Sequence, residues 1–146
     1  MKTNRLFFVL VFISLFFPTF ISISNENYVL LISIDAFRYD YIKLHRPKFI
    51  THLKEKGSHV CLWKPPFPSK TFTSHYGMIT GLWPENHGII SNSFQDKKIR
   101  KRYSLSDRNE VENGIWYNGW PIWCLSEQQN IRSACLFWVG SEAPIQ

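Results

Sequence analysis

The chain has 146 residues, of which 45% are hydrophobic and 16% aromatic. That composition excludes an intrinsically disordered chain and suits one small domain or a portion of a larger one. Lys and Arg outnumber Asp and Glu to give a formal net charge of +6, and no low-complexity tract or repeat of solenoid or propeller period is present.

The first element in chain order is a leader. Lys2 and Arg5 form a basic head, residues 6–17 are almost wholly apolar, Pro18 stops the run, and Ser22 and Ser24 offer the small residues that a signal peptidase reads. The apolar run is shorter than the roughly 20 residues of a membrane span. Residues 1–24 are therefore expected to be a signal peptide, the alternative being an uncleaved anchor, and the mature chain to start near Asn25 in the secretory pathway, bound for the outside or surface of the cell. Without the leader the net charge is +4, and the excess sits in Lys97, Lys98, Arg100, Lys101 and Arg102. On an exported chain such a run reads as a solvated loop, with proteolytic processing as a lesser alternative and no nucleic-acid-binding role. The three cysteines, Cys61, Cys124 and Cys135, form no CxxC pair. Their odd count leaves a thiol free or paired elsewhere, and their pairing open.

Residues 28–34 (YVLLISI) are short, β-branched and apolar on both faces, the pattern of a strand inside a parallel sheet. Asp35 follows, where open α/β sheets place their ligands; a turn or cap aspartate is the plainer alternative. A helix is expected over 49–57 with Gly57 as its stop, a short strand over 59–63, and a break at Pro65, Pro66 and Pro68. Residues 71–80 suit a helix closed by Gly81, 84–88 a turn, and 94–113 a polar excursion loop. A helix over 121–129 and a buried strand over 134–138 complete the set. This alternation implies an α/β fold with a mainly parallel central sheet flanked by helices. About three strands make an incomplete core, which suggests a fragment, a splice form or a partial gene model.

Three features carry chemistry: Asp35 at a strand end, Thr71 at a helix start, and Asn92 after the turn. A hydroxyl needs activation to attack. For Thr71 the helix N-terminus or a bound divalent metal can supply it, and the carboxylate of Asp35 is a suitable ligand for such a metal. The side-chain NH₂ of Asn92 can donate to a phosphoryl oxygen as charge develops. Taken singly, each has an ordinary structural reading: Thr71 as an N-cap, Asn92 as a turn residue, His75 and His87 as hydrogen-bonded structural histidines.

The motifs together say more. Residues 28–38 (YVLLISIDAFR), 68–76 (PSKTFTSHY), 80–92 (TGLWPENHGIISN), 116–123 (WYNGWPIW) and 137–141 (FWVGS) occur in order, with 36 positions from Asp35 to Thr71 and 21 from Thr71 to Asn92. This series resembles the N-terminal part of the catalytic domain of the ectonucleotide pyrophosphatase/phosphodiesterase family, within the alkaline phosphatase-like superfamily, over residues 25–146. Small departures are Ala36 where glycine is usual, Thr73 and Ser74 where Pro-Asn is common, and Val139 where proline is common.

The resemblance implies an alkaline-phosphatase-like α/β fold, here truncated, and a site with two Zn²⁺ ions in the full-length family enzyme. Asp35 would bind one zinc, Thr71 would bridge the metals and act as nucleophile, and Asn92 would stabilise the oxyanion. Phe72, Asn92, Leu105 and Trp138 would contact the substrate, a nucleotide or related phosphodiester. The implied reaction is a two-step hydrolysis through a phosphothreonine ester. The family's other Asp and His ligands have no counterpart in this sequence, so the 146 residues alone are expected to hold zinc unstably and to be inactive, with membrane anchoring a possibility of the full-length form. Two rival readings stand beside it. One is a related hydrolase of the same superfamily, a sulfatase or phosphomonoesterase; a sulfatase would need a Cys or Ser in a Cys/Ser-x-Pro-x-Arg setting, absent from residues 70–75. An inactive secreted product, acting as a binding module, is the other.

Overall fold

The computed structural model describes residues 27–145, so the signal peptide expected over residues 1–24 and its cleavage point lie outside the described residues. The chain divides into two compact units, Met1–Ile34 and Asp35–Gln146. In the first, the described residues 28–34 form neither helix nor strand, and Val29 is 93% exposed. This corrects the buried strand expected there. The same holds for 59–63 and 134–138, which carry no strand and expose Val60, Leu62, Trp63, Leu136 and Phe137. An apolar run becomes a strand only when a neighbouring strand takes its N–H and C=O groups and another layer covers its faces. The one sheet among the described residues is paired within itself and offers these segments no ladder.

The second unit begins with two short helices, α1 (Tyr41–His45) and α2 (Lys48–Lys56), separated by Pro47. Neither buries a residue. Next comes α3 (Thr71–Thr80), preceded by the proline-rich stretch and closed by Gly81 in the left-handed region, as the glycine after a helix usually is. A single helical turn, α4 (Pro84–His87), occupies the expected turn and ends at Gly88, with φ of 87°. A side chain there would sit 2.6 Å from the Trp116 carbonyl oxygen, so both the backbone angle and the space require glycine.

The region expected to be an excursion loop is instead built. Strands β1 (Ser93–Asp96) and β2 (Lys101–Ser104) form an antiparallel hairpin, pairing Ser93 with Ser104 and Phe94 with Tyr103. Its four-residue connection is turned by Asp96, whose Oδ1 accepts from the backbone N–H of Lys98 at 2.6 Å and of Ile99 at 2.8 Å, an Asx-type turn. Then follow α5 (Arg108–Val111), a 3₁₀ turn over Gly114–Trp116, and α6 (Ile122–Gln128) with Pro121 at its start.

The core is aromatic. Tyr76, Ile79, Ile89, Tyr103, Trp116 and Tyr117 are buried together, with Phe72, Phe94 and Trp138 packed against them. Buried Tyr and Trp need partners for their polar tips, and each finds one. The Tyr103 and Tyr117 hydroxyls share a bond of 3.0 Å, and Tyr117 also donates to the Val111 carbonyl at 2.9 Å. Trp116 Nε1 donates to Glu110 Oε2 at 2.7 Å, and the Tyr76 hydroxyl to the Gly119 carbonyl at 3.3 Å. Desolvation pushes the Tyr103 hydroxyl up to about 12 and raises those of Tyr76 and Tyr117 further.

Candidate active site

The candidate site gathers at the first turn of α3. Thr71 is the first helical residue, and the N-cap position belongs to Lys70, which makes no side-chain cap. The Thr71 hydroxyl does not turn back on its helix. It donates to Asp35 Oδ2 at 3.4 Å, across 36 positions of sequence. That is long for an O–H···O bond, so the contact places two oxygens side by side without binding the hydroxyl tightly. Asp35 is exposed and Thr71 partly buried. The nearby carboxylate of Asp40 is engaged elsewhere: it accepts from the Arg38 guanidinium, and that bond holds its pKa below the ordinary carboxylate value.

Asn92 reaches the same turn from the other direction. Its Oδ1 accepts from the Phe72 backbone N–H at 3.1 Å, and its own carbonyl accepts from the Leu105 N–H at 2.9 Å. An asparagine whose oxygen is committed to a helix N-terminal N–H has its two NH₂ donors left for a further acceptor. Leu105 is thereby fixed beside Asn92, just beyond β2. Trp138 comes from residues far along the chain and donates from Nε1 to the His75 carbonyl at 2.9 Å. Its ring meets that of His75 edge-on with centroids 5.9 Å apart, and His75 Nδ1 lies 2.8 Å from the Thr71 carbonyl. Phe72 leans on Tyr103 with centroids 6.4 Å apart. Of the six residues singled out in the sequence, Asp35, Thr71, Phe72 and Asn92 meet at the helix start, Leu105 is tied to Asn92, and Trp138 bonds one turn further along the same helix, at His75.

His87, the other motif histidine, is fully buried. Its Nδ1 accepts from the Ile89 N–H at 3.2 Å and its ring packs edge-on against Tyr76. Sequence reasoning did not anticipate Arg102, whose Nε and Nη2 lie 3.4 and 3.3 Å from Ser93 Oγ, next to Asn92. The signal available was the basic run itself, but its register against Ser93 exists only once the hairpin forms. Among the described residues no three His, Cys, Asp or Glu side chains converge on one point. The oxygen donors that do meet are Asp35 and Thr71, a hard pair of the kind divalent cations take.

Residues 29–146 match the family model described as type I phosphodiesterase / nucleotide pyrophosphatase. The chain is 40% identical over 118 residues to rat ectonucleotide pyrophosphatase/phosphodiesterase family member 1, covering 80% of this chain and 13% of the relative. It is 37% identical over 123 residues to the venom phosphodiesterase of Naja atra, covering 83% and 15%. Among solved structures it is similar to murine ectonucleotide pyrophosphatase/phosphodiesterase 5, an inactive threonine-to-alanine form in complex with AMP. There the TM-score is 0.77 at 30% identity, covering 82% of this chain and 32% of that one. The chain therefore follows the path of the alkaline-phosphatase-like α/β fold over a minor part of its relatives' length, and it belongs to the type I phosphodiesterase / nucleotide pyrophosphatase family, a family of hydrolases.

Proposed function

We propose that residues 25–146 are the N-terminal part of a catalytic domain that hydrolyses phosphodiester or pyrophosphate bonds in nucleotides, with Thr71 as the nucleophile. The observation that carries this reading is the placing of the Thr71 hydroxyl against the Asp35 carboxylate at a helix start whose next backbone N–H is tied to Asn92. The inactive threonine-to-alanine relative with AMP supports both the residue type and the substrate class.

In this reading Thr71 Oγ attacks phosphorus in line. The substrate's leaving alcohol or phosphate departs as the bond to Thr71 forms, and water then releases the nucleoside monophosphate from the ester. Asp35 draws the hydroxyl proton toward itself and orients the oxygen. Asn92 Nδ2 donates to the phosphoryl oxygen that gains charge, while its Oδ1 stays on the Phe72 N–H. Phe72 and Trp138 offer aromatic faces to a base, with Leu105 beside them. Asp35 and Thr71 suit a divalent metal, which the family resemblance makes zinc, in a two-metal centre. When bound, the metal lowers the pKa of the attacking oxygen and neutralises the phosphoryl group. Two donors fall short of the three protein ligands common in catalytic zinc sites, so these residues alone should hold the ion weakly. The name "ectonucleotide" borne by relatives, with the leader-like residues 1–24, supports action in the secretory pathway or outside the cell.

The test compares the 146-residue chain with the longest transcript product that carries residues 25–146, using a nitrophenyl nucleotide diester with and without chelator. Turnover by the longer product that chelator removes and Thr71→Ala lowers more than about 1,000-fold is expected. Unimpaired turnover by Thr71→Ala would overturn the mechanism. Chelator-sensitive turnover by the short chain would overturn the weak-metal reading.

A further inference from the structure

The hairpin between Asn92 and Leu105 carries a charge that the site chemistry does not use. Lys97, Lys98, Arg100, Lys101 and Arg102 oppose a single carboxylate in that stretch, Asp96. The hairpin thus holds +4, and the rest of the chain beyond residue 5 has ten basic and ten acidic residues. Asp96 is spent on the turn, its Oδ1 held by two backbone N–H groups. The ion pairs of the described residues, Arg38 with Asp40 and Arg108 with Glu112 and Glu142, leave the hairpin cations out. Unneutralised charge concentrated on one element costs self-repulsion and gives the fold nothing.

Its position is specific. β1 starts at the residue after Asn92, and β2 ends at the residue before Leu105, whose N–H bonds the Asn92 carbonyl. Ladder register puts Arg102 opposite Gln95, on the face it shares with Ser93 and Ser104 and away from buried Tyr103. From there its guanidinium reaches back to Ser93 Oγ. Of the remaining cations, Lys101 precedes Arg102 on β2, and Lys97, Lys98 and Arg100 lie exposed in the four-residue connection at the far end of the ladder. Positive charge therefore lies beside Ser93, the neighbour of Asn92, at Arg102, and gathers at the far end of the hairpin, about 10–15 Å along the strands from Asn92.

We propose that this hairpin is an electrostatic arm of the substrate site, which holds negative charge on the substrate beyond the phosphodiester at Thr71, so that the centre selects polyanionic phosphodiesters over singly charged ones. The inference rests on the reading of Thr71 and Asn92 as the reactive site. The ligand is recognised through phosphates spaced along a chain, held by exposed cations whose attraction fades over a Debye length of about 10 Å at 0.1 M salt.

The experiment uses the longest product carrying residues 25–146 and two substrates, the p-nitrophenyl ester of thymidine 5′-monophosphate and a dinucleoside tetraphosphate. In wild type, kcat/KM should favour the tetraphosphate by about 10- to 100-fold at low ionic strength and lose that preference as salt rises toward 0.3 M. Substituting Gln at Lys97, Lys98, Arg100 and Lys101 should erase most of the preference and leave the nitrophenyl ester unchanged. A milder Lys97→Gln/Lys98→Gln variant, outside the ladder, should lose part of it. Matching tryptophan emission would show that each variant keeps the core around Trp116. Binding of labelled inorganic polyphosphate, measured by anisotropy, should weaken in the same order. A wild type that binds polyphosphate through the hairpin yet turns over neither ester would sink the reaction while leaving the arm. An unchanged preference in the folded four-residue variant overturns the arm. So does a sulfated polysaccharide that binds through the hairpin while substrate preference ignores these substitutions.

Discussion

Asn92 and Asp35 both reach the start of α3, and they are held in different ways. Asn92 is tied by two bonds, through Oδ1 to Phe72 and through its carbonyl to Leu105, and it leads into a strand whose Phe94 stacks on Tyr103 at 5.2 Å. Asp35 is exposed, is followed by Ala36 at a φ of 54°, and meets Thr71 through a single 3.4 Å contact. The left-handed angle costs an alanine about 1–2 kcal/mol, which is the physical content of glycine being usual at that place. The Asn92 side of the candidate site, proposed to bind phosphoryl, is thus tied to the aromatic core, while the Asp35 side, proposed to bind metal, is positioned but not clamped. A donor that must keep its aim during the reaction profits from rigid support. A metal ligand can be drawn into place by the ion's own charge.

The strongest way to break this comparison is to remove the clamped donor. Asn92→Ala deletes both the NH₂ donors and the acceptor for the Phe72 N–H. In the active product kcat should fall about 100- to 1,000-fold, with KM little changed. A fall below 5-fold would show that the clamped half is not the one that stabilises developing charge. Asn92→Asp sharpens the point: it keeps the acceptor for Phe72 and places a negative charge against phosphate, so it should be no better than the alanine.

The next prediction attacks the support rather than the donor. Gly88→Ala would push a methyl to 2.6 Å from the Trp116 carbonyl at a φ of 87°. Destabilisation of about 2–4 kcal/mol is expected, a drop of roughly 10 °C in Tm for a unit of this size. Since Asn92 hangs on that core, activity should fail on heating before zinc affinity at Asp35 does. A variant as stable as wild type would mean that the 116–117 segment yields more easily than its burial implies. Phe72→Ala should raise KM for a nucleotide diester by about 5- to 100-fold through lost stacking, and more than for a small nitrophenyl ester. Equal effects on both would remove Phe72 from the base pocket.

How far the sequence carried the description follows from the same contrast. Helix α3 was legible because its signals are local: a proline-rich approach, an uninterrupted run of ten residues and Gly81 in the left-handed cap. The family was legible through motif order, and of the residues chosen with it Asp35, Thr71, Phe72 and Asn92 meet at the first turn of α3. The hairpin was not legible, because strands of four residues with one apolar pair, Phe94 and Tyr103, have too short a period-two signal to stand out among charges. Helix α1 was missed for a similar reason, since five residues without a buried side chain leave no stripe to read. The strands expected at 28–34, 59–63 and 134–138 had the right composition. A strand is a property of a pair, however, and composition does not supply the partner. His87 lay between: its motif drew attention, but only packing shows that it is enclosed and serves Ile89.

That histidine gives the smallest effect and the most direct probe of the clamped half. Burial lowers the pKa of His87 below its ordinary value of 6.5. Geometry adds to this, because Nδ1 accepts from the Ile89 N–H and a proton there would set two donors face to face. The folded chain therefore keeps the ring neutral at a pH where the unfolded chain takes up a proton. Below about pH 6.5 the unfolded state binds more protons, so stability is fully present above that pH and declines as pH falls through it toward the lower folded pKa. One proton limits the loss to about 1.4 kcal/mol between pH 7.5 and 5.5. Urea denaturation of wild type and His87→Gln across that range isolates the contribution, since the exposed histidines, His45, His52 and His59, are common to both. The wild type should lose up to that amount relative to the variant. Parallel pH profiles would show that His87 takes up its proton in place, and that the turn leading to Asn92 is looser than the burial of His87 makes it.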